Sequence, residues 1–172
     1  MANSTSASLK LTVQATGENA GTWGKITNTN LLILEQAIGG FDSFNVTNAS
    51  RALTFTNGAV SNGKNEVIKL TGTLAGNLNV TIPDSVEKTY VVEDTCNHAG
   101  NTLTFKTSSG SGVLLCEGHT YTLYSDGTNV VKASELKKWR AISAAETVQP
   151  GAQIAVNTNG GAVTITLPAS PS

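Results

Sequence analysis

Between about residue 50 and residue 132 the chain is written in short stretches of alternating polar and apolar residues, each closed off by glycine, asparagine, aspartate or serine. "RALTFTNG", "NEVIKLTG", "GNLNVTIPDS", "KTYVVED", "NTLTFKTSSGSG" and "VLLCEGHTYTLYSDGTNVVKA" follow one another in this way. A period of two with a turn every few residues buries one face of a strand and reverses the chain before a helix can propagate. Composition points the same way, because 24 Thr, 16 Asn and 17 Gly stand against only 13% charged residues. The expected fold is mainly β, an antiparallel meander or sandwich over residues 41–132. Asp126-Gly127, between "TYTLYS" and "TNVVKA", is its strongest hairpin signal, since a primed two-residue turn needs the positive φ those residues tolerate. "SSGSG", Ser108 to Gly112, reads as a turn between strands, not as a phosphate cradle, because it opens no helix.

One stretch breaks the pattern. "TGENAGTWGKITNTNLLILEQAIGG", Thr16 to Gly40, places Trp23 between glycines as an anchor and then runs through Thr27, Asn28, Thr29 and Asn30 into apolar residues. Those four side chains suit a helix start, and Gly39-Gly40 suits a left-handed stop, so a helix is expected over Asn30 to Ile38. On a helical wheel Leu31, Leu32, Leu34, Ala37 and Ile38 form one stripe, while Ile33 lies on the other side between Glu35 and Gln36. A helix that short is marginal without packing on both surfaces. The segment reads either as the first helix of a globular core with one stray isoleucine or as one that packs on its own domain and on a neighbouring subunit, with Ile33 facing that subunit.

An internal repeat extends the organisation. "GNLNVTIPDS", Gly76 to Ser85, aligns with "GAVTITLPAS", Gly161 to Ser170, at an offset of 85: Leu78 with Val163, Val80 with Ile165, Thr81 with Thr166, Ile82 with Leu167, Pro83 with Pro168. The expected domains are therefore an attachment and oligomerisation segment at 1–40, a β domain at 41–132, a connector at 133–137, and the start of a second β domain at 138–172. Because the first copy is followed by further strand segments and the second only by "ASPS", the chain is expected to be the N-terminal part of a longer one.

Charge and chemistry exclude several classes. A net charge of −1 offers nothing to a polyanion, so no nucleic-acid partner is expected. No apolar run is long enough to span a bilayer, and "MANSTSASLKLTV" lacks the basic start and apolar core of a secretion signal, so the chain reads as made and used in solution. Two cysteines in such a chain read as thiols. No nucleophile elbow, phosphate loop, dinucleotide fingerprint or zinc-protease helix occurs, and Glu87, Glu93 and Asp94 fall at strand ends as solvated charges. Neither enzymatic activity nor a cofactor is expected. One metal-ligating pattern exists: Cys96 with His98 and Cys116 with His119 would converge if Asn101–Lys106 and Gly112–Cys116 form a hairpin, and thiolate with imidazole suits tetrahedral zinc. Against it stand the atypical Cys-x-His spacing, two plain turns, and a Cys96–Cys116 disulfide.

The Thr16–Gly40 stretch resembles the N-terminal motif T-G-E-N-x-G-T-W-G-x-x-T-N-x-N-x-x-x-L-E-x-A-I-x-G of tail-fibre-like virion structural proteins of tailed phages, especially those infecting marine cyanobacteria. "EVIKLTGTLAGNLNVTIPDSVEKTYVVEDTCNHAGNTLTFKT", "YSDGTNVV" and "GGAVTITLPASPS" are similar to β modules of the same group. The resemblance implies a homotrimeric fibre, made in the host cytoplasm, whose N-terminal part attaches to other tail proteins (an adaptor, nozzle or baseplate) while an unseen C-terminal part meets the host surface receptor. Within that reading Trp23, Leu31, Ile33, Leu34 and Ile38 are the interface and attachment residues. The alternatives are another virion structural protein, of baseplate, sheath or capsid decoration, and the N-terminal part of an enzymatic tailspike.

Overall fold

A computed structural model describes residues 2–133, 140–147 and 154–166, and divides the chain into two compact units, Met1–Ser134 and Glu135–Ser172. The first unit takes in the N-terminal segment. Strands β1 (Ser4–Thr5) and β2 (Thr12–Val13) pair antiparallel and lead to helix α1 (Trp23–Gly39). Then come β3 (Phe41–Asn45), β4 (Arg51–Ala52), a 3-10 turn at Asn62–Lys64, β5 (Val67–Thr71), β6 (Leu78–Ile82), β7 (Glu87–Asp94), β8 (Leu103–Thr107), β9 (Gly112–Leu115), β10 (Thr120–Asp126) and β11 (Val130–Lys132).

The strands form a five-stranded sheet in the order β11-β10-β7-β5-β3 and a four-stranded sheet in the order β4-β6-β8-β9. The chain changes sheet at every step from β3 to β8. Consequently β3, β5 and β7 lie parallel in one sheet and β4, β6 and β8 parallel in the other. The antiparallel meander expected from the sequence is thus corrected. Alternation states which face of a strand is buried but not which strand lies beside it, and here the neighbour is two strands away in sequence. Only the last strands behave as hairpin reading expects, with β8 antiparallel to β9 and β10 antiparallel to both β7 and β11. The β10–β11 loop is longer than two residues: Ser125 pairs with Val130, and the Asp126 carboxylate accepts the Thr128 and Asn129 N–H groups while Gly127 sits at φ +86°.

Both sheets turn their alternate residues into one core. Ile68, Leu70, Tyr90, Val92 and Leu123 from one sheet and Val80, Ile82, Leu103, Phe105 and Leu115 from the other are buried together. Tyr90 and Phe105 stack tilted with ring centres 5.4 Å apart, and the Tyr90 hydroxyl donates to the Gly63 carbonyl at 3.2 Å.

Helix α1 starts at Trp23, not Asn30. The polar run that reads as a cap is used otherwise: Thr29 Oγ1 donates back to the Lys25 carbonyl, Thr27 Oγ1 accepts from Gln14 Nε2, and the Asn30 amide bonds both the N–H and the carbonyl of Thr12. The helix end also differs, since Gly40 is extended at φ −70°, ψ 141° and its N–H donates to Gln36 O. A side chain at Gly40 would collide with that same carbonyl, so glycine is required by close approach and not by a left-handed stop.

The second unit contains β12 (Arg140–Ile142), β13 (Glu146–Thr147), β14 (Ile154–Val156) and β15 (Ile165–Thr166). β12 runs parallel to β14, and β13 parallel to β15. This is the pairing of β3 with β5 and of β4 with β6. Offset by 85, β5 falls on 152–156 and Val80-Thr81 of β6 on Ile165-Thr166, so β14 and β15 occupy the repeated positions. Leu167, Pro168 and Ser170 of the repeat, connector residues 134–137, and Lys138 and Trp139 lie outside the described residues.

Candidate functional site

The most distinctive surface of the first unit is on α1. Ile26, Asn30, Ile33 and Ala37 share the arc that faces the protomer, and Ile33 is fully buried. The adjoining flank of the helix carries Trp23 (64% exposed), Leu34 (36%), Ile38 (79%) and Leu31 (58%), and exposed Leu32 lies farther round. For Ile33 the expected facing is inverted: it is buried within its own chain, while Leu31, Leu34 and Ile38, also expected at an interface, are exposed. Trp23 does not act as a core anchor. Phe41, directly after the helix, is also exposed at 59%, so the apolar surface continues onto the first residue of β3. Four large apolar side chains on one arc of a 17-residue helix exceed the scattered exposure of an ordinary surface.

Besides the burial of Ile33, polar bonds tie the helix to β7 and to the 3-10 turn segment. The Lys88 ammonium, on β7, donates to Glu66 Oε2 at 2.8 Å, to the Thr89 carbonyl at 2.9 Å and to the Ala37 carbonyl near the helix end at 3.5 Å. It also stands 4.5 Å over the Tyr90 ring. A cation at a helix C-terminus satisfies carbonyls that have no partner within the helix and complements the helix dipole. Burial holds this amine below its usual range, with Glu66 pulling it back up. From the residue before Ala37, Gln36 Oε1 accepts the Ser61 N–H at 3.3 Å.

The second candidate place is the loop end where Cys96, His98, Cys116 and His119 were expected to meet. β8 and β9 do form the hairpin that brings the two loops to one end, and the His98 N–H donates to Glu117 Oε2 across them at 2.9 Å. They do not assemble a metal site: both cysteines are free thiols, and no group of three or more His, Cys, Asp or Glu is placed to hold an ion among the described residues. Cys96 is fully buried, and burial followed by the nearby Asp94 charge pushes its thiol up to about 12. Cys116 and His119 are exposed, and His119 Nδ1 lies 2.9 Å from the Glu117 carbonyl.

The loop is organised instead around Asp94, expected to be a solvated strand-end charge and found fully buried. Its Oδ1 accepts the Cys96 N–H at 3.0 Å and its Oδ2 lies 2.7 Å from His98 Nε2. Its own N–H donates to the His119 carbonyl and its carbonyl accepts from Gly118. One carboxylate thus pins both loops, which explains why cysteine and histidine stand here without forming a ligand set. Of the other acids expected to be solvated, Glu93 pairs with Lys69 at 3.2 Å. No helix among the described residues is long and apolar enough to cross a membrane.

Two buried cations were missed at the sequence level. Lys64 and Lys88 carry no local signal of burial, and only the alternation of β7, which puts Lys88 on the same side as Tyr90 and Val92, pointed inward. No protein family, curated protein or solved structure matches the chain.

Proposed function

We propose that the chain is a structural virion protein, the N-terminal part of a phage tail fibre, which attaches the fibre to other tail proteins and associates with itself through α1. The observation that carries the reading is the outward arc of Trp23, Leu31, Leu34 and Ile38. Leu31, Leu34 and Ile38 are spaced three and four apart, the repeat by which helices pack knobs into holes on copies of themselves. An apolar arc of this kind, rigidly held by Lys88 and Gln36, is what a subunit interface requires. The virion and tail assignment rests on the resemblance of Thr16–Gly40, and the homotrimer combines that resemblance with the heptad spacing.

Two measurements test it. Light scattering of the purified chain is expected to give three times the chain mass, and Leu31→Asp with Ile38→Asp to return it to a monomer that retains its β circular dichroism. A monomeric parent chain, or an unchanged trimer in the double variant, overturns the interface. Immunogold labelling of intact particles is expected to mark the tail; label on the capsid overturns the fibre assignment and favours a decoration protein.

A further inference from the structure

Lys64 closes the segment between β4 and β5 and is fully buried. Its ammonium donates to the Thr56 carbonyl at 2.7 Å and to the Ala59 carbonyl at 2.6 Å, both in the loop that the lysine itself ends. Acceptors that are backbone carbonyls satisfy the donors without a carboxylate paired to the charge among the described residues, so the bonds must stay short for burial to be tolerated. The loop is gathered further by Asn62, whose Oδ1 accepts both the N–H and the hydroxyl of Thr54, and by the Gly63 N–H on the Thr54 carbonyl. Gly63 cannot carry a side chain, because a Cβ would enter the Phe55 ring.

The rim of this gathered loop grips three other parts of the first unit. The Gly58 N–H donates to the Lys10 carbonyl at 2.7 Å, with Gly58 at φ +59° packed against Thr12 Oγ1. The Ser61 N–H donates to Gln36 of α1, and the Gly63 carbonyl receives the Tyr90 hydroxyl of β7. The loop is therefore where the N-terminal segment, the helix and the five-stranded sheet meet.

We propose that Lys64 is an internal latch: its amino group, donating to the Thr56 and Ala59 carbonyls, holds the 54–64 loop closed, most firmly as the neutral amine that keeps both donors without a buried charge, and the closed loop clamps the N-terminal segment and α1 onto the β strands. The latch works inside one protomer, so it stands or falls independently of what the outer arc of α1 binds. Its strength depends on pH. Burial first, and then the charge of Lys10, lowers the Lys64 amine from 10.5 to about 8. Around it stand Lys10 from the N-terminal segment, the Tyr90 hydroxyl on Gly63, and the Glu66–Lys88 pair that follows in the chain. Opening the loop returns the amine to water, where it holds its proton up to 10.5, so opening takes up a proton between about 8 and 10.5. The latch accordingly tightens as pH rises through that window and is pH-independent below it. Lys88, also held low by burial, acts at the helix end with the same sign.

Amide hydrogen exchange, expressed as protection relative to the unstructured chain at each pH, tests the latch. In the native sequence, protection at Gly58, Ser61 and the α1 amides is expected to rise at least tenfold from pH 7.5 to 10, while that of β6 and β8 does not follow it. Lys64→Met keeps the apolar stem and removes both donors. It is expected to lower protection of 54–64 and of α1 at least tenfold at pH 10, where the native amine is neutral in the closed loop, and to abolish the pH dependence of the loop, leaving only the Lys88 part at the helix end. Unchanged protection of loop and helix in Lys64→Met overturns the proposal. If that variant does not fold, the native pH series alone decides, since a flat or falling protection of Gly58 and Ser61 overturns it equally.

Discussion

Asp94 shows how a single buried charge settles the behaviour of its neighbours. Its carboxylate, fully buried beside Cys96, penalises a thiolate there, whereas Cys116, in the facing loop at the same end of the β8–β9 hairpin, stands in the open. The two thiols should therefore separate in reactivity. At pH 8 an aromatic disulfide reagent is expected to titrate one thiol per native chain, Cys116, and both only after denaturation; two fast thiols in the native state would contradict the burial of Cys96. The same residue contributes to pH dependence with a sign opposite to that of Lys64. Folding raises the Cys96 thiol from 9.0 to about 12, so its contribution is complete below 9 and is lost as pH rises through that interval. At this scale the sequence was half legible. The hairpin that joins the Cys96–His98 and Cys116–His119 loops could be read from turn residues, but the burial of Asp94 could not, because Glu93-Asp94 at the end of an alternating run looks like an ordinary solvated terminus.

The helix was legible in existence and kind but not in extent or orientation. Its start was hidden because threonine and asparagine serve equally as caps and as tertiary donors, and Asn30 is spent on Thr12. Its facing was hidden because a wheel counts apolar residues, and the arc that docks here mixes Ile26, Asn30, Ile33 and Ala37 with polar bonds from Lys88 and Ser61. The inversion has a quantitative consequence. Ile33→Ala removes a fully buried side chain and is expected to cost about 2–4 kcal/mol in chemical denaturation. Ile38→Ala, at a side chain 79% exposed, is expected to cost less than about 0.5 kcal/mol in a monomeric background. Equal costs at the two positions would mean that the helix is docked by its other face.

At the scale of the whole chain, changing sheet at each step makes the fold depend on partners distant in sequence. β3 waits for β5, and β4 for β6, across connections that each contain a strand of the other sheet. Local alternation cannot reveal this, because every strand has the same inward and outward faces whichever neighbour it takes. What the sequence did carry was the repeat, and the second unit places β14 and β15 where an offset of 85 puts β5 and β6. The parallel pairing recurs as well. Arg51 lies opposite Val80 and Ala52 opposite Thr81; in the second unit Glu146 lies opposite Ile165 and Thr147 opposite Thr166, again parallel. The partner strands are not themselves related by that offset, since 51–52 shifted by 85 falls on 136–137 and not on 146–147, so what recurs is the parallel pairing and not the partner's place in the repeat. Nuclear Overhauser contacts decide the point, because an antiparallel hairpin brings facing α protons within close range and a parallel pair does not. Cross-strand amide-to-α contacts between Glu146-Thr147 and Ile165-Thr166 are expected, without strong α-to-α contacts, matching those between Arg51-Ala52 and Val80-Thr81. Strong α-to-α contacts at Thr147 and Thr166 would show that the second unit closes as a hairpin and that the likeness to β4 and β6 ends at the sequence.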